Sequence, residues 1–434
     1  MKLLHANDLP GEHAPSWYNA TCPIEPRASL NTNATFDVCI IGAGFTGLST
    51  ALHLAENGHS VAVLDAHRVG WGASGRNGGQ LGTGFNQDQI ELTALLGEHR
   101  ARQLWEIAED AKALIHTRCK QYDIDIDYTP GIVTALHKPR FIRPAHDYCE
   151  YLAANYQYQE MQPLTKQTIR QRVASDDYFG GTIDHGAGHI HPLKLASGLA
   201  NACERNGAVI HEKSEVIRID TLPRAGGYRV VTTQGSVICE KIVLATNGYL
   251  DNLNPVVNRW IMPINNFIVV TEPLGPQADE ILPCNDAVAD SRFVVNYYRR
   301  VDGDRLLFGG GENYSYRFPK SINKIVRRAM LGVYPQLTNV AIDYAWGGTL
   351  AITRSRLPHT SLLAEGIYTA GGFSGHGVAL AGLYGQVIAE HICGDPDRFD
   401  LLSKLPERPF PGGQLARPAL LALAMTGYSW VDKI

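Results

Sequence analysis

The segment FDVCIIGAGFTGLSTALHLAENGHSVAVLDA, residues 36–66, decides the fold of this chain. Its first part, Val38 to Ile41, is a short and wholly apolar run, which is typical of a strand buried inside a parallel sheet. Gly42, Gly44 and Gly47 follow directly in the pattern GxGxxG. A buried strand followed by this pattern is typical of dinucleotide-binding proteins, in which the glycine turn lets the backbone approach the ligand.

The residues after the glycines predict a helix and a second buried strand. Apolar residues recur at helical spacing from Phe45 to Asn57, and Val61 to Leu64 forms a second apolar run that ends on Asp65. The N-terminus of such a helix binds a pyrophosphate, and an acid at the position of Asp65 accepts a hydrogen bond from a ribose hydroxyl. An acid rather than an arginine there favours NAD or FAD over NADP.

Two further apolar strands, far along the chain, also end in glycine-bearing turns. The strand in KIVLATNGYL ends at Thr246-Asn247-Gly248, and the last strand ends in the glycine turn Gly371 to Gly377. A β-meander that begins at Val216 precedes the first of them, after a helix from about Leu193 to Asn206. Three such turns indicate one elongated ligand across the carboxyl edge of a parallel sheet.

The order of these elements favours FAD over NAD. An NAD dehydrogenase would usually continue directly into further strand–helix repeats, whereas helical and irregular sequence follows Asp65 here. Five strands with a meander between the third and the fourth are typical of the FAD-binding fold of glutathione-reductase-like proteins. The predicted fold class is therefore α/β, with a doubly wound parallel sheet and a β-meander, plus an α+β substrate domain whose sheet is mostly antiparallel.

The segment GWGASGRNGGQLGTG, Gly70 to Gly84, contains seven glycines. Because glycine loses more conformational freedom on folding than any other residue, this density indicates either an unfolded linker or a backbone against which a large ligand lies. The dinucleotide prediction favours the second interpretation.

Several segments resemble the D-amino-acid oxidase superfamily of FAD-dependent amine oxidases, which includes sarcosine, glycine and pipecolate oxidases. They are residues 37–66, GASGRNGGQ (72–80), GHIHPLKLA (188–196), IVLATNGYL (242–250) and GGFSGHGVALAGLYG (371–385). Within the superfamily, DHGAGHIHPL (184–193), RFPK (317–320) and PFPGG (409–413) most resemble the bacterial γ-glutamylputrescine oxidoreductases of polyamine breakdown. The resemblance runs from about Asp37 to Gly413.

The resemblance implies oxidation of a carbon–nitrogen single bond. A hydride passes from the carbon beside a neutral amine to FAD, and the imine hydrolyses to an aldehyde and an amine. No cysteine stands where some sarcosine-oxidase relatives attach FAD, and His67 lies too early for the other familiar attachment, so we expect non-covalent FAD. The stretch Asp304 to Gly311 lacks the oxygen-activating lysine of the sarcosine branch, which leaves oxygen or another electron acceptor open.

The cofactor contacts are predicted on all three glycine turns and on the residues after the second strand. His376, at the start of the last helix, and Arg76 are the candidate catalytic residues; His376 would otherwise only cap or pack, and Arg76 would otherwise form a structural ion pair. The predicted cofactor-binding residues are Gly42, Gly44, Phe45, Thr46, Gly47, Asp65, Ala66, His67, Arg68, Gly72, Ala73, Ser74, Arg76, Asn77, Gly78, Gly79, Gln80, Val216, Thr246, Asn247, Gly248, Trp346, Gly372, Phe373, Gly375, His376 and Gly377.

The substrate side is expected to be lined by aromatic residues. The candidates are Tyr297, Tyr298, Trp346 and Phe373, with ordinary strand core as the alternative, and Arg299 or Arg300 for a carboxylate, of which at most one points inward. The FAD-binding domain is expected in three pieces, 30–90, 160–250 and 345–413. The substrate domain takes 91–159 and 251–344, and 1–29 and 414–434 are terminal arms.

Composition excludes several other classes. The net charge of −4, without a basic stripe, argues against nucleic-acid binding. No apolar run reaches the roughly 18 residues of a transmembrane helix, and the first residues lack the apolar core of a secretory signal. The eight cysteines are scattered, which predicts buried free thiols in a reducing compartment. These features together favour a cytoplasmic protein. His185, His189 and His191 are too few for a zinc site, and no metal is expected.

Two other function classes stay open from the residues alone. An FAD-dependent aromatic hydroxylase uses the same fold, but it would consume NAD(P)H and no second GxGxxG unit is present. A non-catalytic flavoprotein, which senses redox state or modifies RNA with a partner, is the other alternative. The same resemblance includes amino-acid oxidases and dehydrogenases of the sarcosine and pipecolate type. Oligomeric state is not predicted.

Overall fold

The computed structural model describes residues 2–223, 226–251, 253–313 and 315–411. The expected arm 414–434 and the last two residues of PFPGG lie outside these ranges. In chain order the strands are β1 (Asn33–Thr35), β2 (Val38–Ile41), β3 (Val61–Leu64), β4 (Gln80–Leu81), β5 (Thr129–Leu136), β6 (Met161–Leu164), β7 (Gly180–His189), β8 (Val209–His211), β9 (Val216–Thr221), β10 (Tyr228–Thr232), β11 (Ser236–Cys239), β12 (Lys241–Leu244), β13 (Met262–Thr271), β14 (Ala287–Asp290), β15 (Tyr297–Val301), β16 (Arg305–Asn313), β17 (Ile342–Ile352), β18 (His359–Ala364) and β19 (Ile367–Gly371).

The helices connect these strands and cover their faces. They are α1 (Trp17–Thr21), α2 (Phe45–Glu56), α3 (Gln89–Leu96), α4 (Glu98–Tyr122), α5 (Ile142–Tyr156), α6 (Lys166–Arg170), α7 (Pro192–Arg205), α8 (Gln277–Ile281), α9 (Ile322–Val333), α10 (Gly377–Ile392) and α11 (Asp397–Ser403). Short 3₁₀ turns occupy Leu3–His5, Ala73–Gly75, Pro139–Phe141, Asn247–Tyr249, Val257–Arg259 and Pro335–Leu337. No helix in the described ranges is long and apolar enough to cross a membrane.

A six-stranded sheet carries the glycine turns. Its order is β18-β19-β12-β2-β3-β8, and the five strands from β19 to β8 are parallel. In chain order the meander β9–β11 stands between the third and the fourth of these five strands. This arrangement confirms the predicted fold class.

Alternation along the central strands builds two cores. Val38 and Ile40 face α2, α4, α7 and α10, while Cys39 and Ile41 face the four-stranded sheet β1-β11-β10-β9. Because both faces are covered, every residue of β2 is buried, as its wholly apolar sequence predicts.

The third sheet, with nine strands, is antiparallel except where β14 pairs with β5. The order is β17-β13-β16-β15-β14-β5-β7-β4, and β6 pairs with β7. Helix α9 packs on it through Val326, Met330 and Val333. The amphipathic helix and the mostly antiparallel sheet agree with the expected substrate domain.

Sheet membership differs from the expected domain ranges at three places. Strand β4 lies within 30–90, β6 and β7 lie within 160–250, and most of β17 lies within 345–413, yet all four belong to the nine-stranded sheet. The stretch after Asp65 that reads as helical and irregular also contains β4 to β7. We propose that the substrate unit includes these strands.

The eight cysteines are all free thiols. Cys39, Cys149, Cys203 and Cys239 are buried, as expected, but Cys284 and Cys393 are exposed. A cytoplasmic location stays a prediction.

Candidate active site

A cavity of about 1210 Å³ opens along the carboxyl ends of β2, β3, β12 and β19 and continues to the face of the nine-stranded sheet. Pockets for drug-sized ligands span roughly 300–1,000 Å³, so this cavity suits a larger molecule. In an open α/β sheet this edge is where ligands bind.

The first wall is the turn between β2 and α2. Gly42 has φ +110°, and a Cβ atom there would lie 2.7 Å from the Ala245 carbonyl oxygen, so only glycine fits. Helix α2 begins at Phe45, whose N–H donates to Ser74 Oγ at 3.0 Å. The first N–H groups of a helix have no hydrogen-bond partner inside the helix. Here they lie beside the cavity, where an anion can accept hydrogen bonds from them.

Asp65 lies where β3 meets the cavity. Its two carboxylate oxygens accept hydrogen bonds from the N–H groups of Ala43 and His67, each at 2.8 Å. Burial raises the pKa of Asp65 to about 6, against the lowering effect of these two bonds. The carboxylate keeps lone pairs for a ribose hydroxyl, and Val216 lines the cavity nearby.

The glycine-rich segment forms a second wall. All residues from Gly72 to Gln80 except Gly75 line the cavity, and three of them are glycines without a side chain. The ring of Tyr297, which also lines the cavity, packs against this segment, and a Cβ atom at Gly78 would come within 2.7 Å of that ring. Glycine at position 78 therefore follows from confinement between the cavity and the nine-stranded sheet, whereas a Cβ atom at Gly82 or Gly84 would meet nothing within 4 Å.

Arg76 is the charged side chain of this wall, and it is only 4% exposed. Its Nη1 lies 2.6 Å from an Asp8 carboxylate oxygen, and its guanidinium stacks 4.4 Å from the centre of the Trp71 ring. Its buried Nη2 has no hydrogen-bond partner among the described residues. The structural ion pair and the cofactor contact predicted for Arg76 are thus both compatible with its surroundings. The residue is paired with Asp8, and it also lines the cavity with its unpaired donor Nη2.

The third wall is the turn from β19 into α10. His376 precedes α10, and its side chain makes no capping hydrogen bond. Burial lowers the pKa of His376 to about 4, so the ring is neutral near pH 7, and its Nδ1 has no partner among the described residues. With the positive end of the α10 dipole, this turn favours negative charge on a ligand.

Most predicted site residues line this one cavity. They are Gly42, Gly44, Phe45, Thr46, Asp65, Ala66, Gly72, Ala73, Ser74, Arg76, Asn77, Gly78, Gly79, Gln80, Val216, Thr246, Asn247, Tyr297, Phe373, Gly375, His376 and Gly377. Eight other predicted residues do not line it: Gly47, His67, Arg68, Gly248, Tyr298, Arg299, Trp346 and Gly372.

Two predicted cofactor-binding residues after β3, His67 and Arg68, point away from the cavity. Their partners lie in parts of the chain that the sequence analysis did not place near them. His67 accepts the Gly11 N–H at Nδ1 and donates from Nε2 to the Leu4 carbonyl, each at 2.9 Å. Arg68 pairs with buried Glu212 at 2.8 Å.

Three substrate-side candidates lie outside the cavity lining, and two of them, Arg299 and Trp346, bond to the glycine-rich wall. Tyr298 stacks on Phe308 in the core, on the opposite side of β15 from Tyr297. Arg299 donates to the Gly78 carbonyl at 2.8 Å, and Trp346 donates to the Arg76 carbonyl at 3.0 Å. Arg300 pairs with Asp279 at 2.5 Å. Neither Arg299 nor Arg300 therefore lines the cavity.

The histidines of DHGAGHIH do not form a ligand set. His189 donates from Nε2 to the Asn285 carbonyl at 3.0 Å, and His191 Nδ1 accepts the Lys194 N–H at 3.2 Å. Burial lowers the pKa of both rings to about 3. Within the described ranges, no group of three or more His, Cys, Asp or Glu side chains is placed to hold a metal ion.

Sequence reasoning missed several cavity residues. Lys2 and Leu4 lie at the Val216 end, and Glu312 and Asn266 lie near Tyr297. Arg354 and Arg356 lie on the turn after β17. The only signal for them in the sequence was weak, namely two arginines in TRSRLP. The backbone of Arg356 adopts φ +62°, which residues other than glycine rarely do.

Comparisons with known proteins agree with this geometry. The family described as DAO, FAD dependent oxidoreductase, matches residues 37–391. The γ-glutamylputrescine oxidoreductase of Escherichia coli K12 is 39% identical over 427 residues, which cover 98% of this chain and 99% of that protein. A probable oxidoreductase, OrdL, of Rhizobium meliloti is 39% identical and covers 96% and 97%.

A solved structure carries the same fold. Glycine oxidase from Bacillus cereus superposes with a TM-score of 0.70 at 23% identity, over 86% of this chain and 99% of that one. The cavity fits FAD on its own features: a glycine backbone wall, two helix N-termini, an acid for a ribose and an orphaned Arg76 N–H. The lining residues in the described ranges include no cysteine, and non-covalent binding stays a prediction.

Proposed function

The chain belongs to the DAO family of FAD-dependent oxidoreductases, which act on amines, and we propose that its substrate is γ-glutamylputrescine or a related polyamine conjugate. The chemistry that FAD supplies when bound is acceptance of a hydride from the carbon beside a neutral amine. The substrate's imine is then hydrolysed to an aldehyde and an amine. We propose oxygen or another electron acceptor as the final oxidant. The observation that carries the substrate proposal is 39% identity to the Escherichia coli enzyme over almost the whole of both chains.

The charges of the cavity support a substrate with a carboxylate at one end. Four arginines line the cavity, and two are held by carboxylates: Arg76 by Asp8, and Arg292 by Asp177 and Asp290. Arg354 and Arg356 make no ion pair with any described residue, and Arg354 Nη1 donates to the Pro409 carbonyl at 3.2 Å. We assign this pair to the α-carboxylate of a γ-glutamyl group, because guanidinium groups bind carboxylates through paired hydrogen bonds.

A second polar group in the cavity suits the amine. Tyr297 donates to Asn266 Oδ1, and Glu312 lines the cavity beside them. Burial and nearby acidic groups, Glu312 among them, raise the pKa of the Tyr297 phenol, so it stays protonated. A carboxylate at Glu312 attracts the alkylammonium form that enters from water, which must lose its proton before hydride transfer, and the neutral Tyr297 and Asn266 orient the chain that carries it.

Anaerobic titration of the yellow holoprotein tests the substrate. We expect γ-glutamylputrescine to bleach the visible flavin absorbance, putrescine to do so only at far higher concentration, and sarcosine and pipecolate to leave it unchanged. Bleaching by sarcosine or pipecolate alone would refute the substrate while leaving the family intact. Resistance to every amine would favour a non-catalytic flavoprotein.

Replacing Arg356 with glycine should raise KM for γ-glutamylputrescine about tenfold or more, as loss of a charge-assisted hydrogen bond implies. Glycine accepts the φ of +62° without strain, so the melting temperature should hold or rise. KM for putrescine, which has no carboxylate, should stay within about twofold. Steady-state kinetics with both amines measure this.

Arg354→Gln should act in the same direction. Arg300→Gln is the matched control, because that guanidinium pairs with Asp279 outside the cavity. An equal rise in KM for both amines in the Arg356 variant would contradict the carboxylate assignment.

A further inference from the structure

The N-terminal arm, residues 2–29, lies before the stretch that the family model matches, which begins at residue 37. The arm is therefore not part of the stretch that the family shares, yet it packs against the cavity. Its first residues reach the end where Val216 lies, and Lys2 and Leu4 line the cavity there.

The first turn of the arm is fixed at both sides of that end. Lys2 Nζ lies 2.8 Å from Glu215 Oε1, next to Val216 on β9. The N–H groups of Leu3 and Leu4 donate to the two carboxylate oxygens of Asp251 at 3.2 and 3.4 Å. These contacts hold the arm across the opening between the meander and the turn after β12.

The next residues bring a carboxylate to Arg76. Asn7 is fixed by two hydrogen bonds to the loop between β16 and α9, since its Nδ2 donates to the Tyr316 carbonyl and its Oδ1 accepts the Phe318 N–H. Asp8 follows, and its carboxylate lies 2.6 Å from Arg76 Nη1. The Asp8 side chain is 16% exposed and that of Arg76 is 3% exposed, so water screens this pair little.

Further along, the arm follows the outer side of the glycine-rich wall. Gly11 donates to His67, Trp71 Nε1 donates to the Glu12 carbonyl at 2.8 Å, and Tyr18 donates to the Asn77 carbonyl at 2.8 Å. The wall residues that face the cavity are thus held from behind by residues of the arm.

We propose that the N-terminal arm is part of the FAD-binding site. Lys2 and Leu4 close the adenosine end, and Asp8 is a positioning residue that orients Arg76. Two of the guanidinium's nitrogens are used by Asp8 and by the carbonyls of Trp71 and Gly347, which leaves Nη2 as the donor for an acceptor atom of the dinucleotide. The arm thus helps to retain a cofactor that we expect to be bound without a covalent bond.

The rate at which FAD leaves the holoprotein tests this proposal independently of any amine. Release is followed by the rise in flavin fluorescence after dilution. Asp8→Asn should speed release about tenfold or more, since one partner of a buried ion pair is removed. Asp8→Glu should restore part of the retention. Lys2→Gln, at an exposed position that folding tolerates, should speed release about two- to fivefold.

Glu12→Gln is the matched control within the same arm. Its carboxylate is exposed and lies 3.8 Å from Lys213, and only its carbonyl supports the wall. Release from this variant should match the unmodified protein. If Asp8→Asn and Lys2→Gln both release FAD at the unmodified rate, the proposal is overturned. If Asp8→Asn lowers the melting temperature of FAD-free and FAD-bound protein equally, with unchanged release, Asp8 is structural only.

Discussion

Replacing Gly47 with alanine is expected to abolish FAD retention and to destabilise the fold by at least about 3 kcal/mol. A Cβ atom at this position would lie 1.9 Å from the Gly42 carbonyl oxygen and 3.2 Å from Ile40 Cγ2. Alanine gains about 1 kcal/mol of helix propensity over glycine, so propensity alone predicts the opposite sign. The clash decides, because its main partner is backbone of the turn that begins the cavity wall.

The measurement is the flavin-to-protein absorbance ratio after gel filtration, together with urea unfolding. We expect a colourless variant whose FAD affinity falls about 100-fold or more. Gly332→Ala in α9 is the matched control, since nothing lies within 4 Å of a Cβ atom there. That variant should keep its FAD and gain up to about 1 kcal/mol. Wild-type FAD binding by the Gly47 variant would show that the turn can widen.

The nucleotide-binding half could be predicted because its signals are local. Strand β2, helix α2 and strand β3 begin and end within one residue of their predicted bounds. Each wholly apolar run reports burial on both faces, and each glycine turn reports close backbone approach. These properties lie within a few residues of one another, so one segment of sequence contains them.

The nine-stranded sheet was only partly predictable because its pairing is not local. Strand β7 has the sequence GGTIDHGAGH, whose glycines lower strand propensity. It forms because β5 and β6 pair with it on either side, and β5 in turn pairs with β14 more than a hundred residues later. Other non-local contacts set the direction of two predicted site residues. His67 bonds to Gly11 and Leu4 of the arm, and Arg299 donates to the Gly78 carbonyl.

Acid is expected to destabilise the protein strongly between about pH 6.5 and pH 4 through its buried histidines. His53, His67, His189 and His191 are buried, and burial lowers their pKa values to about 4, 4, 3 and 3. The unfolded chain takes up a proton at each below about pH 6.5, whereas the folded chain does not. Their stability contribution is therefore complete above this pH and falls as pH drops toward the folded values.

The magnitude is large for a marginally stable molecule. Each buried histidine contributes a loss of up to about 2 kcal/mol at pH 5, and domains are typically stable by about 5–15 kcal/mol. Asp65 acts in the opposite direction, because its pKa is raised to about 6. Its folded form binds a proton before the unfolded chain does, which offsets about 1 kcal/mol of the loss at pH 5.

Urea unfolding at pH 7, 6 and 5, with the FAD concentration fixed, measures the effect. The side chain of His53 supplies the sharpest comparison, because Nδ1 donates to the Ser49 carbonyl while buried Nε2 has no partner among the described residues. His53→Gln should reduce the loss between pH 7 and pH 5 by up to about 2 kcal/mol. His99→Gln, at an exposed position on α4, should leave the loss unchanged. Superimposable pH profiles for His53→Gln and the unmodified protein would show that water reaches and solvates the protonated ring in the folded state, and the acid sensitivity would then have to arise from other groups.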